Sequence, residues 1–278
     1  MSRVNEVIAH EVPEGVFDTY GIENAFCNCL NSEEATELLN RVVTEKPAYR
    51  NAAVKKVCSD IEKDFLGCHE QLVEDLTLRF ESADHRLRQS LGTVLSRLSE
   101  VAPSFIEQKI ELFFLQSRYV GVRRRGYKIA ARRDKLDEQA VLKAWHEHSD
   151  YEAAWLITKF FPVFFLIENI KDIEQHFTEG WQFARLYLRI AEVQPNLLPR
   201  LKDRDPISYC YVLVKTGIEI SDDEAFDIME SASQDERFGL FVWSLGKAGK
   251  WDVLKNIDSK LLEIQERRAE QLMKQHGS

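Results

Sequence analysis

A short pattern that recurs from about Asp84 to about Ile264 constrains this fold more than any other feature. Each copy begins with a polar cap and an apolar-rich helix, and then turns into a second helix. The copies are spaced at roughly 27–35 residues, the range typical of stacked helical pairs. Their opening segments are His85–Gly92, Tyr119–Gly126, Tyr151–Leu156, Trp181–Leu186, Tyr209–Val214 and Phe238–Trp243. The pattern predicts an all-α chain, an α-solenoid (superhelix) of antiparallel helix pairs.

The composition favours helices over strands. The 278 residues include only 12 Gly and 7 Pro, which leaves little material for a turn-rich β protein. Strictly alternating runs of Val, Ile and Thr are also scarce. With 44% hydrophobic and 30% charged residues, the chain is expected to fold around an apolar core with a highly charged surface.

The recurring pattern is absent before about residue 84. We interpret residues 1–84 as an N-terminal helical cap or as degenerate repeats, because a terminal unit must present one polar face. Ser32 is the predicted N-cap of its first clear helix. Residues 85–278 form the predicted repeat body. A charged helix from about Trp251 to Gln275 is expected to cap the last repeat.

Three segments of the repeat body fit the capping box, in which a Ser oxygen accepts from the N3 amide and a Glu reaches back to the cap residue. They begin at Ser104, Ser149 and Ser221. Three such segments near expected element boundaries predict short helices in series.

Several copies carry an apolar residue followed by Arg near their start, and one ends in Leu-Gly. The pairs are Leu87-Arg88, Val122-Arg123 and Ala184-Arg185, and the Leu-Gly lies within Ser244–Lys247. The copies resemble HEAT-type or armadillo-like repeats over about two thirds of the chain, although those starting near Tyr151 and Tyr209 lack the Arg. The resemblance implies a binding scaffold, as most such proteins are; some are DNA-alkylation repair enzymes.

The charge distribution contains a local exception. The net charge of −9 argues against general coating of nucleic acids, because phosphate binding needs positive potential. Between Arg118 and Arg133, however, seven residues are basic and none is acidic. The rest of the chain therefore carries −16, and this basic helix is the first candidate site.

Two interpretations of the basic helix stay open. Its charges are solvated or paired with acidic neighbours such as Asp137, Glu138 or Glu152, or they bind an anionic partner, either nucleic acid or an acidic protein segment. Arg123 occupies the position where such repeats often pair an Arg with an acid, which predicts a structural role. The candidate binding residues are Arg118, Arg124, Arg125, Lys128, Arg132 and Arg133.

Metal and cofactor sites are not predicted. The cysteines lack the C-x2-C pairs of zinc fingers, and Cys58 lies on an apolar stripe. The two histidines of His146–His148 point about 200° apart on a helix and cannot share a metal. The remaining potential ligands are Cys27, Cys29, Cys68 and His69.

Catalytic signatures are also missing: the sequence has no Gly-rich phosphate loop, no G-x-S-x-G segment and no kinase motifs. A repair enzyme would need an acidic residue and aromatic side chains to hold an altered base. The only nearby candidates are Trp145, Trp155 and Trp181 with Asp150.

The sequence therefore predicts a non-catalytic scaffold or adaptor for a protein partner. The alternative is a nucleic-acid-binding, repair-like protein that uses the basic helix 118–133. The acidic N-terminal segment and the odd count of five cysteines predict a cytoplasmic protein with reduced thiols. No apolar run is long enough to span a membrane, and the oligomeric state is left open.

Overall fold

A computed structural model of the chain describes residues 4, 5, 8, 31–62, 69–133 and 135–276. Every regular element in these ranges is helical, which confirms the predicted all-α class. The described residues from Ser32 to His276 form seventeen α-helices and two short 3-10 helices. The chain divides into two compact units, unit 1 (Met1–Ala144) and unit 2 (Trp145–Ser278).

Unit 1 is built from two sets of helices. In one set α2, α4 and α6 pack against each other in succession, and in the other α1, α3 and α5 do the same. We call the first set the α2–α4–α6 row. The helices are α1 (Ser32–Glu45), α2 (Arg50–Glu62), α3 (His69–Phe80), α4 (His85–Val101), α5 (Ser104–Leu115), α6 (Val120–Arg132) and the first part of α7 (Glu138–His148), whose residues from Trp145 onward belong to unit 2.

The apolar faces of these helices meet in one cluster that holds unit 1 together. Leu91 and Leu95 of α4, Phe114 of α5 and Ile129 of α6 are buried in it. Burying one such side chain stabilises the fold by about 1.5–3 kcal/mol. Because these residues recur at helical spacing, each helix presents one face to the core and leaves the other to solvent.

Unit 2 contains a similar row. Its helices α8, α11, α13 and α15 pack in succession, and α9, α12 and α14 pack against members of this row. We call it the α8–α15 row. The helices of unit 2 are α8 (Tyr151–Phe160), α9 (Val163–Glu168), α10 (Ile170–Glu174), α11 (Gly180–Ala191), α12 (Leu198–Arg204), α13 (Pro206–Thr216), α14 (Asp222–Ala232), α15 (Phe238–Lys247), α16 (Trp251–Lys255) and α17 (Ile257–His276).

The opening segments of the predicted repeat coincide with helices of these two rows. Each of the six opening segments lies in α4, α6, α8, α11, α13 or α15, and at least one further helix follows each. Superhelical stacking of antiparallel pairs and the division at residue 84 stay predictions. Helices on the two sides of residue 84 pack together, since α4 contacts α1, α2 and α3.

The first described helix and the C-terminal helix both differ from the sequence expectation. Helix α1 begins one residue earlier than predicted, with Asn31 rather than Ser32 as its N-cap. The Oδ1 of Asn31 accepts from the Glu34 amide at 2.8 Å, and Glu34 accepts from the Asn31 amide at 3.1 Å. The predicted C-terminal helix is two helices, α16 and α17, divided at Asn256.

One of the three predicted Ser caps is confirmed. Ser221 accepts from the Glu224 amide at 3.1 Å and caps α14. Ser104 is instead the first helical residue after Pro103. Ser149 ends α7 in the left-handed region, at φ 51°, and Asp150 occupies the N-cap position of α8. The capping predictions at Ser104 and Ser149 are therefore wrong by one residue.

A buried charged triad joins α10, α11 and α12 in unit 2. The Glu174 side chain is 1% exposed, accepts from the Tyr187 hydroxyl and lies 2.5 Å from the Arg200 Nε. Burial raises the pKa of the Tyr187 hydroxyl, so this group stays protonated and donates to Glu174. The Glu174 carboxylate thus accepts hydrogen bonds from one charged and one neutral donor.

A second cluster forms around Arg237, at the entrance to α15. Its guanidinium donates to Asp205, the N-cap of α13, at 2.7 Å and to Asp235 at 2.7 Å. Gly180 makes this arrangement possible, because a Cβ there would lie 1.9 Å from the Arg237 Nη1. The cluster therefore ties the start of α15 to the start of α13, beside the first residue of α11.

This cluster predicts a loss of stability in acid. Hydrogen bonds from Arg237 hold the pKa of Asp235 below its ordinary value of about 3.9. The stabilisation is complete above that ordinary value and is lost as the pH falls through the lowered one. Between pH 5 and about 2, urea unfolding of the natural protein should lose free energy more steeply than unfolding of Asp235→Asn. Parallel pH profiles of the two proteins would contradict this assignment.

Candidate binding surfaces

The basic helix α6 divides into parts with different surroundings. At its C-terminal end, Arg132 Nε lies 3.1 Å from Glu107 and Arg132 Nη1 lies 3.4 Å from Glu100. Arg133 Nη1 lies 2.5 Å from the fully buried carboxylate of Glu111. These two candidate arginines are therefore paired inside unit 1, as the first of the two open interpretations expects.

The pairs belong to a longer chain of alternating charges. Arg97 of α4 contacts both Glu62 of α2 and Glu100. Burial raises the pKa of Glu111 despite its arginine partner. In order, the chain runs through Glu62, Arg97, Glu100, Arg132, Glu107, Arg133 and Glu111. This network neutralises one end of the α2–α4–α6 row.

The remaining basic residues of α6 and its approach are arranged differently. Arg123 is buried and donates to the carbonyl of Ser117 at 2.9 Å, which fits the structural role predicted for it. Arg118, Arg124 and Lys128 are exposed. The structure thus leaves these three candidate residues and the paired Arg132 at the surface, and it places Arg125 in a cleft.

The cleft lies between α2, α4 and α6 and has a volume of about 440 Å³. Three cationic side chains line it, one of which is Arg125. None of the described lining residues is acidic. They are Arg50, Asn51, Val54, Lys55, Cys58, Gln89, Ser90, Thr93 and Arg125. This surface attracts anions locally, although the chain as a whole is acidic.

Arg125 is half-buried against α4. Its Nη1 donates to the Ser96 hydroxyl at 3.2 Å and its Nη2 to the Thr93 hydroxyl at 3.3 Å. Gly92 leaves room for this side chain, because a Cβ there would lie 3.3 Å from the Arg125 Nε. Burial lowers the pKa of Arg125. In the part of the chain that the structure describes, no carboxylate compensates for this desolvation.

Unit 2 carries a second surface, which the sequence reasoning missed. In each helix of the α8–α15 row, an aromatic residue is followed four positions later by a basic one. Because residues i and i+4 are neighbours on a helix, each cation lies over the ring of its own aromatic partner. We call these the aromatic–basic pairs: Trp155–Lys159, Trp181–Arg185, Tyr211–Lys215 and Trp243–Lys247.

The last two pairs are also in contact with each other. The rings of Tyr211 and Trp243 have centroids 6.0 Å apart, and Lys215 lies 5.5 Å from the Trp243 ring. Trp181 contacts Tyr151 at 4.9 Å between centroids. Trp243 is 40% exposed and Tyr151 is 60% exposed, so these rings present apolar area to solvent. The last two pairs therefore form one surface of linked rings and cations.

Charge is unevenly distributed between the helices of unit 2. In the α8–α15 row, α11, α13 and α15 contain no acidic residue. Helix α14, which packs against α13 and α15, carries five acidic residues and no basic one. The aromatic-x3-basic spacing, repeated in successive copies, is the sequence signal that would have revealed this surface.

The candidates for base recognition are not brought together. Trp145 is fully buried, and its indole donates to the carbonyl of Ile173 at 3.3 Å, so it cannot stack on a base. Asp150 is also buried. Trp155 and Trp181 instead belong to the aromatic–basic pairs. The structure therefore contradicts the proposed base-binding set.

Among the described residues no group of His, Cys, Asp and Glu side chains has the geometry to hold a metal ion. Burial raises the pKa of Cys58 to about 11, which keeps this thiol protonated at neutral pH. The ring of His146 stacks on His176, with centroids 5.6 Å apart. Cys27, Cys29 and Cys68 lie outside the described residues.

No helix in the described part of the chain has both the length and the apolarity needed to cross a bilayer. The resemblance to HEAT-type repeats stays a prediction, because it depends on short motifs and on the succession of helices. Comparison with known protein families, with curated proteins and with solved structures finds no match to this chain.

Proposed function

We propose that this chain is a non-catalytic helical-repeat scaffold that binds an acidic segment of a protein partner. In this proposal its helices form an α-solenoid of antiparallel pairs similar to HEAT repeats. The observation that carries the proposal is the set of aromatic–basic pairs on the four helices of the α8–α15 row. A repeated surface suits an extended ligand.

The spacing of the pairs suggests how such a segment is recognised. Packed helices lie about 8–10 Å apart, and a segment in the polyproline II conformation advances about 3.1 Å per residue with three residues per turn, so that every third side chain lies on the same face. An acidic side chain at about every third position would therefore meet a Lys or Arg on each successive helix. Apolar side chains between them would contact the exposed rings of Tyr151 and Trp243.

The position of the cations favours a protein over single-stranded nucleic acid. Bases bind aromatic side chains by stacking on the ring face. Here Lys159 lies 4.5 Å above the Trp155 ring and Arg185 lies 5.6 Å above the Trp181 ring, so one face of each ring is already occupied. The net charge of −9 also weakens attraction to phosphates at long range.

Photo-crosslinking in native host cells tests this proposal. A photoreactive phenylalanine at position 243 is expected to form a protein adduct that protease removes and nuclease does not. The same residue at position 164 should form no such adduct, because Phe164 is 72% exposed but lies on α9, outside the row. An adduct removed by nuclease would contradict the proposal.

A second set of variants tests whether binding requires the cations of this surface. The double substitution Lys215→Gln and Lys247→Gln should abolish the adduct at position 243. Lys255→Gln with Lys260→Gln removes the same charge from exposed positions outside the row and should leave the adduct unchanged. Equal losses in both variants would mean that net charge, and not this surface, determines binding.

The nucleic-acid alternative is a second candidate, supported by the exposure of Arg118, Arg124 and Lys128. Fluorescence anisotropy at about 50 mM salt measures it directly, since phosphate contacts are strongest at low salt. Absence of binding to duplex and single-stranded oligonucleotides would eliminate it. If binding occurs, changing these three residues together to Glu should abolish it.

A further inference from the structure

We propose that the cleft between α2, α4 and α6 is a binding site for the phosphate group of a small phosphorylated molecule. Three cations converge on it: Arg50 and Lys55 from α2 and Arg125 from α6. The site lies in unit 1 and does not depend on the function proposed for the aromatic–basic pairs of unit 2.

Arg125 is the strongest indication of a missing ligand. A cation that is taken out of water costs free energy unless a counter-charge compensates for it. The partners of Arg125 are the hydroxyls of Ser96 and Thr93, which are neutral. Across the described residues no carboxylate contacts its guanidinium. A bound anion would supply the counter-charge that none of the described residues provides.

Other arginines on the same helices do have acidic partners. Arg97 on α4 and Arg132 on α6 each contact two carboxylates within 4.0 Å. The cleft, by contrast, has no acidic residue among its described lining residues. The α2–α4–α6 row therefore has a neutralised end and a cationic cleft.

The chemistry of the cleft fits a phosphate better than a carboxylate. A phosphate monoester carries between one and two negative charges at neutral pH, which matches several cations better than the single charge of a carboxylate does. The guanidinium fork of an arginine binds phosphate oxygens through two parallel hydrogen bonds. Asn51, Gln89 and Thr93 supply further polar groups along the walls. A volume of about 440 Å³ accommodates a small ligand.

Calorimetric titration of the full chain with pyrophosphate tests the site. Saturable binding is expected, and Arg125→Gln should weaken it at least tenfold. Arg124→Gln is the matched control: it removes the same charge from the adjacent, exposed residue, and it should change the affinity less than twofold. Absence of saturable binding at millimolar pyrophosphate, or equal weakening in both variants, would overturn the proposal.

Thermal unfolding gives a second, independent measurement. Pyrophosphate should raise the midpoint of the natural protein because a ligand stabilises the state that binds it. It should not raise the midpoint of Arg125→Gln, which without ligand should be at least as stable as the natural protein. If Arg125→Gln does not fold, Arg50→Gln takes its place in both assays with the same expected tenfold loss. If pyrophosphate raised the unfolding midpoint of the variant as much as that of the natural protein, the proposed site would be wrong.

Discussion

Replacing Arg200 with Met is expected to lower the free energy of unfolding by about 3 kcal/mol. The substitution leaves the Glu174 carboxylate, 1% exposed, with the neutral Tyr187 hydroxyl as its remaining donor in the triad. Removing one member of a buried ion pair is costly because the other member is left as an uncompensated charge. Urea unfolding at neutral pH measures the loss.

Arg204→Met is the control for this prediction. Arg204 lies on the same helix, α12, and is exposed, so its loss should change stability by less than about 0.5 kcal/mol. Adding Glu174→Gln to Arg200→Met should restore part of the stability, since it removes the unpaired charge. Similar losses in the two arginine variants would show that the triad contributes little.

Gly180→Ala is expected to destabilise the protein by about 1 kcal/mol, the cost of the hydrogen bond that the flexible Arg237 side chain gives up when it moves aside. A Cβ at this position would lie 1.9 Å from the Arg237 Nη1, which must then leave Asp205. The same substitution at Gly239 meets no atom within 4 Å and should raise stability by about 0.5 kcal/mol, because alanine favours the helix. Thermal or urea unfolding of the two variants should therefore shift in opposite directions.

If Gly180→Ala also flattens the acid profile ascribed to Asp235, both effects arise from displacement of Arg237. If Gly180→Ala were destabilised but kept the full pH dependence, the added Cβ would not act by displacing Arg237. The comparison with Gly239 also separates the steric effect from the general effect of glycine on helices.

The succession of helices was predictable because it is encoded locally. Apolar periodicity placed a helix at every predicted opening, from His85 in α4 to Phe238 in α15. Helix ends were less certain, since caps compete with their neighbours. Asn31 replaced Ser32 because its side chain completes a capping box with Glu34. At Ser149 the left-handed backbone ends one helix, and the next begins a residue later.

The binding surfaces were predictable only in part, because charge pairing depends on contacts between helices. Sequence reasoning marked α6 as basic, but it could not distinguish Arg132, which reaches Glu107, from Arg125, whose partners among the described residues are hydroxyls. The cleft also needs Arg50 and Lys55, which are far away in sequence. The aromatic–basic pairs were accessible from the sequence through their i, i+4 spacing.

The charge network in unit 1 has a consequence for how its sequence can vary. Glu100 is shared by Arg97 and Arg132, and Glu107 is shared by Arg132 and Arg133. Loss of one arginine leaves each shared carboxylate with another partner, whereas loss of two neighbours leaves one unpaired. Such substitutions should be strongly non-additive. These positions are therefore expected to show epistasis: single replacements of Arg97 or Arg132 are tolerated, whereas adjacent double replacements are accepted only when the shared glutamate changes as well.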